Sequence, residues 1–274
     1  MTPFDYYLLL IHLSKIPFDR KYRYAAKLLE DRQCPDNLRA FSKRIGHFVW
    51  PEKEADFILQ QGISFISMID EHYPLHLLEI YRPPLILFYE GKLSLLEKPG
   101  LAIVGSRKMT EYGKKVIDHL LLKLANRKNP PSIISGLALG VDAYAHYQAL
   151  LEGLEPIAVV GTGLNQTYPK KHRSLDSLIR ERGLVLSEFP PDTSPQKFHF
   201  PMRNRIIAGL CSDVVIVEAK KKSGSLITAQ MALEDNRNIW AVPGSIFSEN
   251  SLGCHELIRE GASLLQEIQD IFAD

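Results

Sequence analysis

From position 99 onward the chain repeats one unit: a short apolar run, a turn carrying glycine, then apolar positions at helical spacing. The runs are LAIVG at 101–105, SIIS at 132–135, PIAVVGTG at 156–163, LVLSEF at 184–189, DVVIVEA at 213–219 and NIWAVPG at 238–244. Between and after them, the spacing predicts helices over 111–126, 141–152, 172–183, 203–210, 225–235 and 255–261. Short, fully apolar strands alternating with helices predict a mostly parallel sheet with helices on both faces, an α/β fold. Residues 1–62 read differently. Phe4, Tyr7, Leu8 and Ile11, then Tyr24, Ala25, Leu28 and Leu29, then Phe57 and Ile58, lie at helical spacing and predict a small helical domain that packs on the remainder of the chain. Asp36 is expected to cap a helix starting at Asn37-Leu38. Residues 63–98 hold ISFISMID and, after Pro83-Pro84, LILFYEG; these predict a connector that adds edge strands to the main sheet of 99–274.

Composition narrows the class without deciding it. The 274 residues, 45% apolar and 24% charged with a net charge of +1, suit an ordinary globular chain with a real core and carry no global charge signal. Any anion-binding surface must therefore be local. Cys34, Cys211 and Cys254 are scattered and odd in number, which argues for a reducing compartment and against a disulfide framework or a four-cysteine zinc site. No apolar run approaches a membrane span. The opening MTPFDYYLLLIHLSKIPFDRKYR lacks a basic leader and a small-residue cleavage site, so it reads as a helix and the protein as cytoplasmic.

The candidate chemistry sits in the turns. All strands of a parallel sheet end on one edge, where ligands bind, and the backbone N–H groups of helix starts attract anions there. Gly105-Ser106-Arg107 follows the first strand of the repeat, with a planar cationic fork suited to phosphate. Gly136 to Gly140, Gly161-Thr162-Gly163 and Glu218 to Gly224 follow others. Tyr168-Pro169-Lys170-Lys171-His172-Arg173 offers an aromatic beside phosphate-binding cations. In Phe198-His199-Phe200-Pro201-Met202-Arg203-Asn204-Arg205 the two arginines are two apart, so they point in different directions; one is expected to face the crevice and the other to make a structural pair. Asn204 either caps the helix or bonds a ligand. Ser223 or Ser225 is expected to cap a helix. Asp142 and His146 share a helix face without a third ligand, and read as a helix-start residue and a packed or surface histidine. Glu188 and Glu218 end strands and are expected to pair with the arginines.

Several classes are disfavoured. A nicotinamide fingerprint beginning at Gly161 needs glycine at 166, where Gln166 stands, and the strand ending at Ser135 lacks the acidic residue for the ribose. No GxxxxGK[ST] loop is present, which argues against P-loop hydrolysis. Ser223 and Ser225 have no nearby histidine and carboxylate to announce a triad. No catalytic residue, metal or cofactor is expected.

IVGSR, SGLALGVDAYAH, GTGLNQTYP, SEFPP, FHFPMRNRIIAGL, SGSLITA, AVPGS and GCHELIREGA follow one another over about 63–266. In that order they resemble the DNA-processing protein A (DprA, or Smf) family. The resemblance implies an extended Rossmann-like domain that binds single-stranded DNA, protects incoming strands in natural transformation and loads the recombinase RecA, as a homodimer and without enzymatic turnover. It implies that Arg107 contacts DNA from the GSR turn, with Gly105 and Ser106; that Lys170, after Tyr-Pro, does the same, near Gly163, Tyr168 and Lys171; and that Phe200, Arg203, Asn204 and Arg205 line the groove. It implies a dimer surface on the last helices, including Leu233, His255 and Leu264. The N-terminal helices loosely resemble the family's variable, SAM-like domain, without the Gly-rich hairpins of helix-hairpin-helix modules. His172 and His255 stand where asparagine is usual, Asn236 where glycine is usual, and no winged-helix extension follows the core. The rival reading is a Rossmann-like nucleotide hydrolase akin to phosphoribohydrolases. These carry PGGxGTxxE, whereas the corresponding junction here is KKKSGSLITAQMA.

Overall fold

The computed structural model describes residues 1–30, 35, 37–45 and 49–272. The chain opens with α1 (Pro3–Leu13), α2 (Phe18–Glu30), α3 (Leu38–Ile45) and α4 (Glu52–Gln60). Thr2 caps α1 in a reciprocal box with Asp5. The Ala40 N–H donates to Asn37 Oδ1 at 2.9 Å, so Asn37 caps α3; the cap expected of Asp36 lies outside the described residues. Then follow β1 (Phe65–Ser67), α5 (Leu75–Leu78) and β2 (Ile86–Gly91). The repeating part supplies β3 (Gly100–Val104), α6 (Glu111–Ala125), β4 (Ser132–Ser135), α7 (Val141–Leu151), β5 (Pro156–Val159), α8 (Arg173–Arg182), β6 (Leu184–Ser187), α9 (His199–Gly209), β7 (Asp213–Ile216), α10 (Gly224–Glu234), β8 (Asn238–Ala241), α11 (Leu252–Arg259) and β9 (Ser263–Leu264).

Among the described residues one nine-stranded sheet runs β1-β2-β6-β5-β4-β3-β7-β8-β9. The strands from β6 to β9 in that order are parallel. At one end β2 pairs antiparallel with β6, and β1 with β2. The chain steps outward from β3 through β4, β5 and β6, then crosses back by α9 to β7 on the other side of β3. The topological switch therefore lies between β3 and β7, where such sheets bind ligands.

Side-chain alternation along each strand builds two cores. Leu101 and Ile103 join Ile117, Leu121 and Val141 under α6 and α7. Ala102 and Val104 join Ile206, Ile207 and Ala229 under α9 and α10. Leu8, Leu9 and Ile11 of α1 share a third cluster with Ile86, Phe88 and Val185, so the N-terminal helices bury their apolar stripe on the β1–β2–β6 end of the sheet. None of the described helices is long and apolar enough to cross a membrane. Cys211 and Cys254 are free and buried; Cys34 lies outside the described residues.

Three elements differ from the sequence pattern. Helix α9 starts at His199 rather than Arg203. Pro201 is tolerated in its first turn because that turn's N–H groups have no intrahelical partner. Helix α11 starts at Leu252 rather than His255, with Gly253 inside its first turn packed against Ala219. Strand β9 is two residues long with both side chains exposed, too short to alternate.

Candidate nucleic-acid interface

The turn after β3 is shaped by hydrogen bonds from within it and across it. Ser106 is buried; its Oγ accepts from the Lys108 N–H at 3.1 Å and its carbonyl from the Val141 N–H at 3.1 Å. Gly140, just before α7, has φ of +76°, and a Cβ there would stand 2.2 Å from the Ser106 oxygen, so no side chain fits this approach. The result throws Arg107 outward. It is exposed, and its guanidinium carbon lies 5.8 Å from the centre of the Phe200 ring. Phe200 lies over Gly161 at the end of β5 and stacks with Tyr168 at 5.4 Å and 35°. Tyr168 leads into the exposed Lys170 and Lys171. The following His172 anchors this segment through Nδ1, 3.0 Å from the Leu137 carbonyl at the end of β4. Among the described residues Arg107, Lys108, Lys170 and Lys171 carry no ion pair, so their charge faces solvent undiminished.

The arginines of α9 behave differently. Arg203 is only 4% exposed. Its Nη1 donates to the Gly136 carbonyl at 2.6 Å and to that of Val159, tying the ends of β4 and β5 together. Burial pushes its guanidinium down to about 10, with the nearby Asp142 carboxylate opposing and Arg107 adding to the fall. Asp142 is itself buried and raised above the ordinary carboxyl range by desolvation; Arg203 and the N–H groups of Gly105, Gly136 and Ala138 oppose that rise. Arg203 is therefore the floor of the crevice and not part of its open wall. Asn204, half-buried, accepts from Arg203 Nε at 3.2 Å and lies inside α9, so it does not cap it. Arg205, 9% exposed, points away to meet Glu188 at 2.5 Å beside the Phe18 ring. The structural pair foreseen for one arginine is Arg205–Glu188; the other does not reach the crevice surface.

Other sequence expectations are also revised. Gly163 is buried beneath the carbonyls of Pro190 and Pro191, its N–H given to Thr193 at 2.9 Å, so it shapes the loop from below. Among the described residues Glu218 pairs with no arginine. It turns inward and accepts from the Thr110 N–H at 2.9 Å and from its hydroxyl, because this carboxylate lies at the start of α6. Ser223 stands at the cap position of α10, yet its hydroxyl bonds Ser225 Oγ at 2.8 Å and no backbone N–H. His146 is fully buried and neutral, pushed to about 3 by desolvation. Among the described residues no group of three His, Cys, Asp or Glu side chains is placed to hold a metal.

Residues that the sequence did not single out brace the crevice, His12 of the N-terminal helices among them. His12 Nε2 lies 2.7 Å from the Glu188 carbonyl, and Lys21 donates to the His12 carbonyl. His199 stacks on Phe189 at 4.0 Å, with Nδ1 3.2 Å from the Gly161 carbonyl. No local pattern announces contacts between positions so far apart. Lys108 had a signal, being the cation next to Arg107.

Known proteins match this arrangement. The sequence pattern defining the DNA recombination-mediator protein A family covers residues 64–274. The DNA processing protein DprA of Streptococcus pneumoniae is 49% identical over 214 residues, 78% of this chain and 75% of its own length. A crystal structure of DprA from that organism superposes with a TM-score of 0.87 at 38% identity, covering 100% of this chain and 98% of the other. A structure of DprA from Helicobacter pylori, described for its single-stranded DNA binding mode, gives a TM-score of 0.68 at 31% identity over 76% of this chain and 94% of the other. With nearly the whole αβ-repeating part matched, this chain belongs to the DNA recombination-mediator protein A (DprA) family.

Proposed function

We propose that this protein binds single-stranded DNA along the rim of the sheet, with little sequence selectivity, and without catalytic turnover. In the same reading it works as a cytoplasmic homodimer that protects incoming strands in natural transformation and delivers them to RecA. The observation that carries the reading is Arg107, an exposed guanidinium without an ion-pair partner among the described residues, standing over the Phe200–Tyr168 stack. A flexible polyanion needs cations for its phosphates and π faces for its bases, and both meet at this point. Paired and stacked bases of a duplex cannot use the rings. The Helicobacter pylori relative, studied for its single-stranded DNA binding mode, supports the same assignment.

A gel shift with labelled oligo-dT at several salt concentrations tests it. Arg107→Ala is expected to weaken binding about tenfold or more, the scale of one lost charge-assisted hydrogen bond. It should also flatten the dependence of log affinity on log salt by about 0.7, one phosphate's share. Lys170→Ala should weaken binding in the same sense. Unchanged affinity in both variants removes the rim from the interface. Base release from nucleoside monophosphates without a gel shift would establish the hydrolase instead.

The dimer surface in this reading includes Leu233, His255 and Leu264. Leu233 and Leu264 are exposed, and β9 leaves the outer edge of the sheet open. Leu233→Arg should shift sedimentation toward the monomer. Delivery to RecA is tested by whether the wild type, but not Arg107→Ala, speeds RecA assembly on oligo-dT.

A further inference from the structure

The rim continues on the other side of Arg107. The loop after β8 carries Phe247, 92% exposed, an apolar ring that the fold leaves in water. The base of this loop is fastened to its neighbours. Asn250 Nδ2 donates to the Lys108 carbonyl at 3.0 Å, the Ala219 N–H donates to the Asn250 carbonyl at 2.7 Å, and the Tyr112 hydroxyl donates to the Pro243 carbonyl at 2.7 Å. Phe247 is thus presented from a loop anchored to the turns after β3 and β7.

Strand order sets the spacing. Tyr168 and Lys170 follow β5, Arg107 and Lys108 follow β3, and Phe247 follows β8, each group two strands from the next. At about 4.8 Å per strand, the roots of these groups are about 10 Å apart. The alternation of aromatic, cation and aromatic is what a stretched single strand requires. The charges along the second half agree. Lys108 and Lys222 are exposed and without an ion pair among the described residues. Two nearby carboxylates are matched, Glu249 by Lys220 at 2.6 Å and Glu256 by Lys221 at 2.9 Å, whereas Glu111 at the start of α6 is exposed with no ion pair among the described residues. Glu218 is turned inward onto Thr110.

We propose that Phe247 is a second base-stacking platform, with Lys108 and Lys222 holding the phosphates between it and Arg107, so that the bound strand extends across β7 and β8. This inference rests on the single-strand reading of the rim. It predicts a length-dependent defect. Phe247→Ala, at a site too exposed to affect folding, should bind an oligo-dT of about four nucleotides like the wild type. It should bind one of about sixteen nucleotides at least about fivefold more weakly, the low end for loss of one stacked base. Phe247→Trp should keep the affinity for the longer strand, and its added tryptophan emission should be quenched on binding.

Arg107→Ala serves as the reference in the same titrations. If it weakens both lengths while Phe247→Ala matches the wild type for both, the extension is wrong and the groove at Arg107 stands. If neither variant changes binding of either length, the groove and its extension fall together.

Discussion

Replacing Arg203 with methionine separates a floor residue from a DNA contact. Methionine keeps the apolar stem of arginine but is shorter and cannot donate, so Asp142 keeps its burial and loses the positive charge near it, and the carbonyls of Gly136 and Val159 lose their donor. Each buried carbonyl left without its donor costs about 1–3 kcal/mol, and the loss of the positive charge near Asp142 adds to it. That is a large part of the roughly 5–15 kcal/mol that holds a typical fold. The variant should fold, with its urea midpoint lowered by about 1 M or more at neutral pH. The sign of the pH dependence comes from Asp142. Its folded-state pKa is already raised by burial and rises further without Arg203, so the folded state holds a proton that the unfolded state releases. The deficit is therefore greater at about pH 7 than at about pH 5, because lowering the pH favours the protonated form of Asp142 that burial already prefers. Urea titrations at both pH values measure it, with oligo-dT binding followed well below the unfolding midpoint. An Arg203→Met protein as stable as the wild type at pH 7 but unable to bind would refute this role and make Arg203 a direct phosphate ligand.

Gly140→Ala forces a Cβ to within 2.2 Å of the Ser106 oxygen at a φ of +76°. A cost of about 1–3 kcal/mol, or more, is expected from the strain, with a melting point several degrees lower and weaker oligo-dT binding as the Arg107 turn shifts; an unchanged melting point counts against the turn geometry. His146 is pushed down to about 3 by burial, so its stabilising neutral state is fully present above about pH 6.5 and is lost as the pH falls toward 3. His146→Leu should therefore lower acid sensitivity by up to about 1.4 kcal/mol per pH unit in that window, read from urea midpoints at pH 7 and 4.5; parallel pH profiles of the two proteins would show that His146 does not titrate on unfolding.

The convergence of Arg107, Lys170, Tyr168 and Phe200 was legible because a parallel sheet sends every strand's end to one edge, whatever the distances in sequence. Which cations stay open there was not legible. Arg203 and Arg205 look equivalent in FPMRNR, but two residues turn a helix by about 200°, and what each meets depends on other elements. One finds carbonyls at the ends of β4 and β5, the other Glu188 near α2. Gly163 reads as an open turn glycine, yet Pro190 and Pro191, which cover it, belong to another loop. Glu218 was a plausible arginine partner by chemistry, and the nearer donor proved to be Thr110.

The sequence by itself determined the alternation of strands and helices, the parallel sheet and the set of basic and aromatic turns on its rim. These come from periodicity and glycine placement, which act over a few residues. Tertiary structure alone decided the roles within that set: Arg107 left to the solvent, Arg203 made a buried brace, Arg205 tied to Glu188, and Phe247 held out on a fastened loop. Burial and pairing belong to surfaces that residues distant in the chain create together, so no local pattern encodes them.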